Sequence, residues 1–421
     1  MLEVSRSTTP SDEEQAGAFA WLRALGPKGR KAFAGAFGGF ALDSYDYQVL
    51  PLSMVAITAY FNLTTAEAGL MTTVTLVASA FGGVIAGVLA DRVGRVRTLM
   101  ITVATYAIFT VLCGFATNYE MLLTFRALQG LGFGGEWASG AILVAEYASS
   151  RYRGRTVAFI QSSWAVGWAL AVVVSTIVLD NVNGDWSWRI MFWTGALPAL
   201  LLVYLRRGVE DAPLSQRRVR TKSGKLSGIF TNGLARKTVF ATLLATGVQG
   251  GYYTLATWLP TYLKTERGLT VVGTGGYLFA LIGGAFLGYV SGGYLTDLLG
   301  RKKAIMLFGI LSAALIFAYT HIPEGSNNLL LILGFPLGFT SSAIFSGFGS
   351  YLSELYPSAV RGTGQGFTYN VGRALGAFFP TAVGFSSGGG VGNALIYGAA
   401  GYAIAVLALL GLPETRGSEL T

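Results

Sequence analysis

The chain has one cysteine, Cys113, and one histidine, His321. A lone cysteine inside an apolar run forms no internal disulfide, and one histidine supplies no ligand cluster, so no metal site is expected and Cys113 reads as a small buried hydrophobe. Ser-His-Asp chemistry is excluded from the apolar segments because His321 falls in a polar turn. No Gly-x-x-x-x-Gly-Lys-Ser/Thr loop is present, so ATP has no phosphate cradle here, and no other cofactor is indicated. Charge is scarce too: Asp, Glu, Lys and Arg make up 12% of 421 residues, about half the share of a soluble domain. These absences argue against an enzyme.

What is abundant is apolar: 52% of residues are hydrophobic and 58 are glycine. Runs of about 20 apolar residues, each enough to cross about 30 Å of hydrocarbon, fill most of the chain. Helices are expected near 33–60, 67–90, 98–116, 120–146, 155–179, 188–205, 239–263, 272–296, 303–320, 328–352, 363–385 and 391–412. The expected class is an all-α membrane protein with twelve transmembrane helices. Its divisions are an N-terminal tail (1–32), a six-helix bundle (33–205), a polar connector (206–238), a second six-helix bundle (239–412) and a C-terminal tail (413–421). The tail lacks the pattern of a cleavable signal peptide. Its apolar stretch from Ala16 to Leu25, with Trp21 and Arg23, is expected to lie in the membrane interface.

The net charge of +9 does not point to nucleic acid, because the basic residues occupy short loops rather than an aromatic-studded face. Of the 30 lysines and arginines, 25 fall in the tails, the connector and the turns after spans 2, 4, 8 and 10. Arg189, Lys264 and Arg267 alone fall on the opposite face. Both termini are therefore expected in the cytoplasm.

Gly87-Val-Leu-Ala-Asp91-Arg92-Val-Gly-Arg95-Val-Arg97 returns, altered, as Gly293-Tyr-Leu-Thr-Asp297-Leu298-Leu-Gly-Arg301-Lys-Lys303, an offset of 297 − 91 = 206 residues. Glu146…Arg153-Gly154 returns as Glu354…Arg361-Gly362, and the turn after span 6 is faintly echoed by Pro413-Glu414-Thr415-Arg416-Gly417. An internal duplication follows, with two pseudo-symmetric six-helix bundles related by an axis along the membrane normal.

These motifs carry a resemblance. The Gly-x-Leu-Ala-Asp-Arg-x-Gly-Arg turn after span 2, its degenerate copy after span 8, and Arg126-Ala-Leu-Gln-Gly-Leu-Gly-Phe-Gly-Gly135 in span 4 resemble the major facilitator superfamily over nearly the whole chain. Pro413-Glu414-Thr415-Arg416-Gly417 looks like the exit motif of its sugar and metabolite porters. The resemblance implies a monomeric transporter in the inner membrane of a bacterium, working by alternating access.

Five charged residues fall inside spans: Asp43, Asp46, Arg126, Glu136 and Arg373. At mid-membrane each costs about 2.5–3.5 kcal/mol on insertion scales and normally faces a cavity or a partner. Asp43 and Asp46, three residues apart, share a helix face; two carboxylates so close disfavour double ionisation, which suits proton binding. The alternative is that they neutralise Arg126 or hold water. Asp43-Ser44-Tyr45-Asp46 resembles the span-1 signature of aromatic acid/proton and sialate-type symporters, with Ser44 departing from the aromatic branch's glycine. The repeat-related positions in span 7 are Gln249 and Tyr252, which places proton handling in the first half.

Helical rise puts Arg126 at about the depth of Asp46, so a pair between them is permitted, either switching with protonation or permanent. Glu136, in a Gly-Gly-Glu-Trp run similar to sialate-type symporters, is a relay, a gate or a polar packing contact. Arg373 lies near the midplane beside Tyr369 and Asn370, where a guanidinium fork suits a carboxylate; the alternative is a structural pair with Glu136 or an aspartate. Gln161, Trp164, Trp168, Tyr252, Tyr253 and Trp258 are candidate cavity walls. At the repeated turns, Asp91, Arg92, Arg95, Glu146, Arg153, Asp297, Glu354 and Arg361 are candidate gating residues, with Asp91 directed to the positive end of helix 11.

The expected function is proton-coupled uptake of a small organic anion, a monocarboxylate. The alternative is a proton-coupled sugar or polyol symporter; a non-transporting sensor lacks support in the absence of a long cytoplasmic domain.

Overall fold

The computed structural model describes residues 20–147, 153–182, 184–200, 204, 226–231 and 233–416. The side chains of residue 91 and of residues 136–143, 145–146 and 153–155 lie outside that description. Among the described residues, twelve helical segments mark the spans: α1 (Gly26–Phe61), α2 (Thr65–Val93), α3 (Arg95–Cys113), α4 (Tyr119–Tyr147), α5 (Arg153–Asn181) and the short α6 (Trp186–Trp193) in the first half. The second half has α7 (Leu234–Thr265), α8 (Val271–Leu299), α9 (Arg301–Thr320) and α10 (Asn327–Glu354). It closes with α11 (Arg361–Gly376, resumed as Phe378–Ser386) and α12 (Val391–Ala394, resumed as Ile396–Leu410). No strand occurs among the described residues.

The helices run longer than the apolar segments that announce them. α1 begins at Gly26 rather than near 33, and α7 at Leu234 rather than near 239. Apolar length finds the hydrocarbon, whereas backbone hydrogen bonding carries the helix on into the polar layer. Among the described residues, seven helices are long and apolar enough to cross a membrane by length and composition alone. Among the other five, α1, α4 and α11 carry the charged residues picked out from the sequence, α7 carries their glutamine and tyrosine partners, and α6 breaks into a 3₁₀ turn at Thr194–Ala196.

Local chemistry sets the turns. α1 ends on Asn62 in the left-handed region, φ 52°, and α2 begins with a capping box in which Thr64 and Glu67 satisfy each other's backbone N–H. The repeated turns are built alike: Gly94 and Gly300 each take φ 97°, ending one helix and opening the next, a conformation glycine alone adopts without strain.

Packing follows the duplication. α2 lies on α4 as α8 lies on α10, and α1 lies on α5 as α7 lies on α11. Close approach depends on glycine: a Cβ on Gly134 would meet Ser79 O at 1.8 Å, and one on Gly338 would meet Leu281 O at 1.9 Å. The halves meet where α2 crosses α11 and where α5 crosses α8.

The short helix Ala20–Ala24 falls in the apolar stretch of the N-terminal tail. Trp21 is 3% exposed, with its ring 4.8 Å from Phe159 and 5.2 Å from Phe33. Trp21 and Leu25 pack against the bundle, and Arg30 secures the helix by donating to Leu22 O at 3.1 Å.

At the end away from the tails, α2 and α11 are closed against each other. Thr65 Oγ1 donates to Gly384 O at 3.0 Å and shares a 2.6 Å hydrogen bond with Ser387, and Thr73 bonds Thr381 at 2.6 Å. Toward the tail end, a Cβ on Gly87 of α2 or on Gly362 or Gly366 of α11 would meet nothing within 4 Å.

Candidate functional site

Two polar centres lie between the helices, and each takes one aspartate of α1. The first is walled by α1, α3, α4 and the turn after α6. Asp46 is fully buried; its Oδ1 accepts from Thr110 and its Oδ2 from the Gln129 amide. Gln129 Nε2 lies 2.7 Å from Thr110 Oγ1, and Gln129 Oε1 accepts from Arg126 Nη1. Arg126, also fully buried, is thus joined to Asp46 through an amide rather than directly. Its Nε and Nη2 have no hydrogen-bond partner among the described residues. Gly195 lets the α6 turn close over the centre, since a Cβ there would stand 2.2 Å from Thr110 Cγ2 and 3.5 Å from Asp46 Oδ1.

The second centre lies at the seam between the halves. Arg373 on α11 is 5% exposed. Its Nε donates to Gln249 Oε1 at 3.4 Å and its Nη2 to Tyr369 Oη at 3.3 Å, while the guanidinium carbon lies 5.0 Å from the Tyr369 ring and 6.0 Å from the Phe133 ring. Asp43 is in electrostatic range of Arg373 and Tyr253. The helix face that carries both aspartates is therefore divided: Asp46 turns to α3 and α4, and Asp43 to the second half.

Aromatic rings line this seam. Tyr47 sits 5.7 Å from Tyr253, 5.8 Å from Phe133 and 6.0 Å from Trp164. Trp164 Nε1 donates to Tyr252 Oη at 2.6 Å, joining α5 to α7 across the halves, and Ser44 Oγ donates to Trp164 O at 2.6 Å. Gln249 Nε2 donates to Tyr369 O at 3.0 Å. Gln161 is buried on α5.

Some expected wall residues point elsewhere. Asn370 donates to Gly366 O at 2.9 Å, and its Oδ1 packs against Gly83 of α2. Trp258 Nε1 donates to Pro380 O at 2.9 Å, tying α7 to α11. His321 stacks on Phe317 at the end of α9, centroids 4.1 Å apart. Thr110, Gln129, Gly195, Tyr47 and Phe133 were not singled out as site residues by the sequence. Three of them carried a signal: Gln129 and Phe133 stand in the span-4 motif, Gln129 three residues after Arg126 on the same helix face, and Tyr47 directly follows Asp46.

Of the gating candidates, Asp297 bonds Arg301, whose Nε lies 3.5 Å from Glu354 Oε1; Thr415 donates to Glu354 Oε2. Glu414 accepts from the backbone N–H of Arg301 at 2.8 Å, Lys302 at 3.3 Å and Lys303 at 3.4 Å, a carboxylate at the positive end of α9. Partial burial opposes its ionisation, but the backbone N–H groups of Lys302, Arg416, Thr415 and Lys303 prevail and hold its pKa below the usual carboxylate value. Arg361 instead donates to Tyr356 O at 3.3 Å. Arg92 is exposed and Arg95 half-buried. The side chains of Asp91, Glu136, Glu146 and Arg153 lie outside the described residues.

Twelve helices in two repeat-related bundles, with buried charges and aromatic rings along the seam, define a multi-pass membrane transporter. The chain belongs to the Major Facilitator Superfamily, which residues 36–380 match. It is 40% identical over 95% of its length to a probable 4-methylmuconolactone transporter of Cupriavidus pinatubonensis, covering 94% of that protein. It is 31% identical over 91% of its length to a cis,cis-muconate transport protein of Acinetobacter baylyi, again covering 94%. The inward-open xylose transporter XylE from E. coli shares the fold, with a TM-score of 0.74 at 20% identity over 92% of this chain and 97% of that one.

Proposed function

We propose that this transporter carries a small organic anion, a monocarboxylate, into a bacterial cell across the inner membrane together with a proton, as a monomer with both termini in the cytoplasm. The observation that carries the reading is Arg373: a buried guanidinium between aromatic rings at the junction of the halves, with hydrogen bonds of 3.3 and 3.4 Å to neutral groups. Both are longer than the usual ~2.9 Å. A carboxylate offering shorter, charge-assisted bonds displaces such partners. The relatives named for 4-methylmuconolactone and cis,cis-muconate support an organic-acid substrate; muconate carries two carboxylates, so the narrower monocarboxylate reading rests on the single guanidinium of Arg373.

Asp46 and Asp43 are the proposed proton carriers, Asp46 beside Arg126 and Asp43 beside the substrate's arginine, with Glu136 as an accessory acid. Tyr369, Gln249, Tyr252, Tyr253, Trp164 and Gln161 shape the cavity. The repeated turns and the Asp297, Arg301 and Glu354 cluster gate the tail end, and the two bundles rock about the midplane site. The test is counterflow in proteoliposomes with 4-methylmuconolactone, cis,cis-muconate, nicotinate and xylose, repeated under an imposed proton gradient. Exchange of a carboxylate and its gradient-driven accumulation are expected. Exchange of xylose alone refutes the anion reading, and accumulation indifferent to the gradient refutes proton coupling.

A further inference from the structure

The three cations of the face away from the tails are used differently. Arg189 donates to Gly114 O at 2.8 Å and to Tyr60 Oη at 3.1 Å, and its guanidinium carbon lies 4.4 Å from the Trp188 ring. Arg267 donates to Tyr262 Oη and Ile322 O, each at 2.6 Å, and to Pro323 O at 3.2 Å. Both are committed to the fold. Lys264, in the last turn of α7 and half-buried, has neither a hydrogen bond nor an ion pair among the described residues.

Lys264 stands in the wall of a cavity of about 30 Å³ between the halves, with room for about two waters or one carboxylate head. α1 and α5 supply one side of it, α7 and α8 the other. Two hydroxyls in that wall are unspent: Thr261 and Thr274 are 8% and 7% exposed, and the Oγ1 of each lacks a hydrogen-bond partner. A helical threonine can give its hydroxyl to the carbonyl four residues back, as Thr242, Thr246 and Thr265 of α7 do. Thr261 does not, and a buried donor left unpaired costs free energy that a ligand recovers. Val271, the first residue of α8, also lines the cavity and brings the positive end of a 29-residue helix to it. An ammonium, two hydroxyl donors and a helix amino end thus converge on a space whose wall includes no acid among the described residues.

We propose that Lys264, Thr261 and Thr274 form an outer capture site for the carboxylate of the incoming substrate, occupied before transfer along the seam to Arg373. Lys264 lies fifteen residues beyond Gln249 on α7, about 22 Å of helical rise, so this site is separate from the one at Arg373. Its walls come from both halves, and parting them at this end opens the cavity to the outside. An arriving anion then meets Lys264 first. The inference rests on the organic-anion reading above.

The test measures 4-methylmuconolactone transport by the full chain from each face, in right-side-out and inside-out membrane vesicles, for wild type, Lys264→Met, Lys264→Arg and Thr274→Val. Lys264→Met should raise KM at the outer face about fivefold, the size of one part-exposed charge interaction, with KM at the tail face unchanged. Lys264→Arg keeps the charge and should stay within about twofold of wild type. Thr274→Val removes one donor and leaves the charge; a rise of about two- to threefold at the outer face is expected, and it serves if the methionine variant does not fold. A rise at both faces, or at neither, overturns the capture site while carboxylate transport stands. An effect that vanishes in phosphatidylcholine proteoliposomes assigns the lysine to an anionic lipid headgroup and overturns it too. A wild type that moves no carboxylate removes the organic-anion reading and the capture site together.

Discussion

Replacing Arg373 by lysine keeps a positive charge at the seam but removes the planar fork. In the structure the guanidinium spans two partners on different helices, Gln249 of α7 and Tyr369 of α11, while lying near two rings. An ammonium is a point donor and cannot face both carboxylate oxygens in one plane. The loss is about one charge-assisted hydrogen bond, ~1.5–3 kcal/mol, or ~10- to 150-fold in the substrate dissociation constant. Arg373→Gln removes the charge as well, and a further tenfold or more is expected. Because the interaction acts on bound substrate before any transition state, the change should appear in KM with kcat little altered. The assay is concentration-dependent counterflow of 4-methylmuconolactone, with melting of the unliganded protein as the control for folding. A lysine variant within twofold of the wild-type KM, or a glutamine variant that saturates normally, refutes the carboxylate role.

Asp43→Asn and Asp46→Asn should both abolish gradient-driven accumulation. The latter should also lower the melting temperature, because Arg126 is left buried without a counter-charge, a change of about 3–5 kcal/mol in comparable cases. Gly134→Ala puts a methyl 1.8 Å from Ser79 O and must part α2 from α4; misfolding or a loss of several kcal/mol is expected, read from detergent-solubilised yield and melting. Tyr252→Phe removes the 2.6 Å bond from Trp164 and leaves a buried indole N–H unsatisfied, costing about 1–3 kcal/mol; melting shows it. Glu414 has a lowered folded pKa, so its contribution is present above the unfolded value of about 4.3 and lost as pH falls through the folded one. Glu414→Gln should lower melting at neutral pH, by at most about 1 kcal/mol once screened, and the difference from wild type should shrink in acid.

The spans, the duplication and the family are legible in the sequence because each is a property of apolar length or of a short motif at a fixed offset. The same holds for the charged residues of α1, α4 and α11, which stand out against hydrocarbon. Their partners do not stand out. Thr110 is an ordinary threonine of an apolar helix until tertiary packing brings it to Asp46, and Gly195 acquires its role from a 3₁₀ turn that no apolar run announces. Asp43 and Asp46 share a face by helical geometry, yet three residues of rotation suffice to give them different neighbours. Glu414 reads as part of a motif, whereas its cap on α9 depends on Arg301, 113 residues earlier.

The closure at the end away from the tails has a consequence for how the molecule is driven. There the halves touch through hydroxyls, carbonyls and a glycine, Thr65, Thr73, Gly384, Ser387 and Thr381, whereas the described residues of the tail end include carboxylates and arginines such as Asp297, Arg301, Glu354 and Glu414. Parting the first surface separates no charges among the described residues, so ionic strength has little purchase on it; the tail-end cluster lies within the second half, and its ion pairs are open to screening within about 8–10 Å at physiological salt. Ions and charged lipid headgroups are thus expected to act on one end of the cycle and leave the other to water and packing.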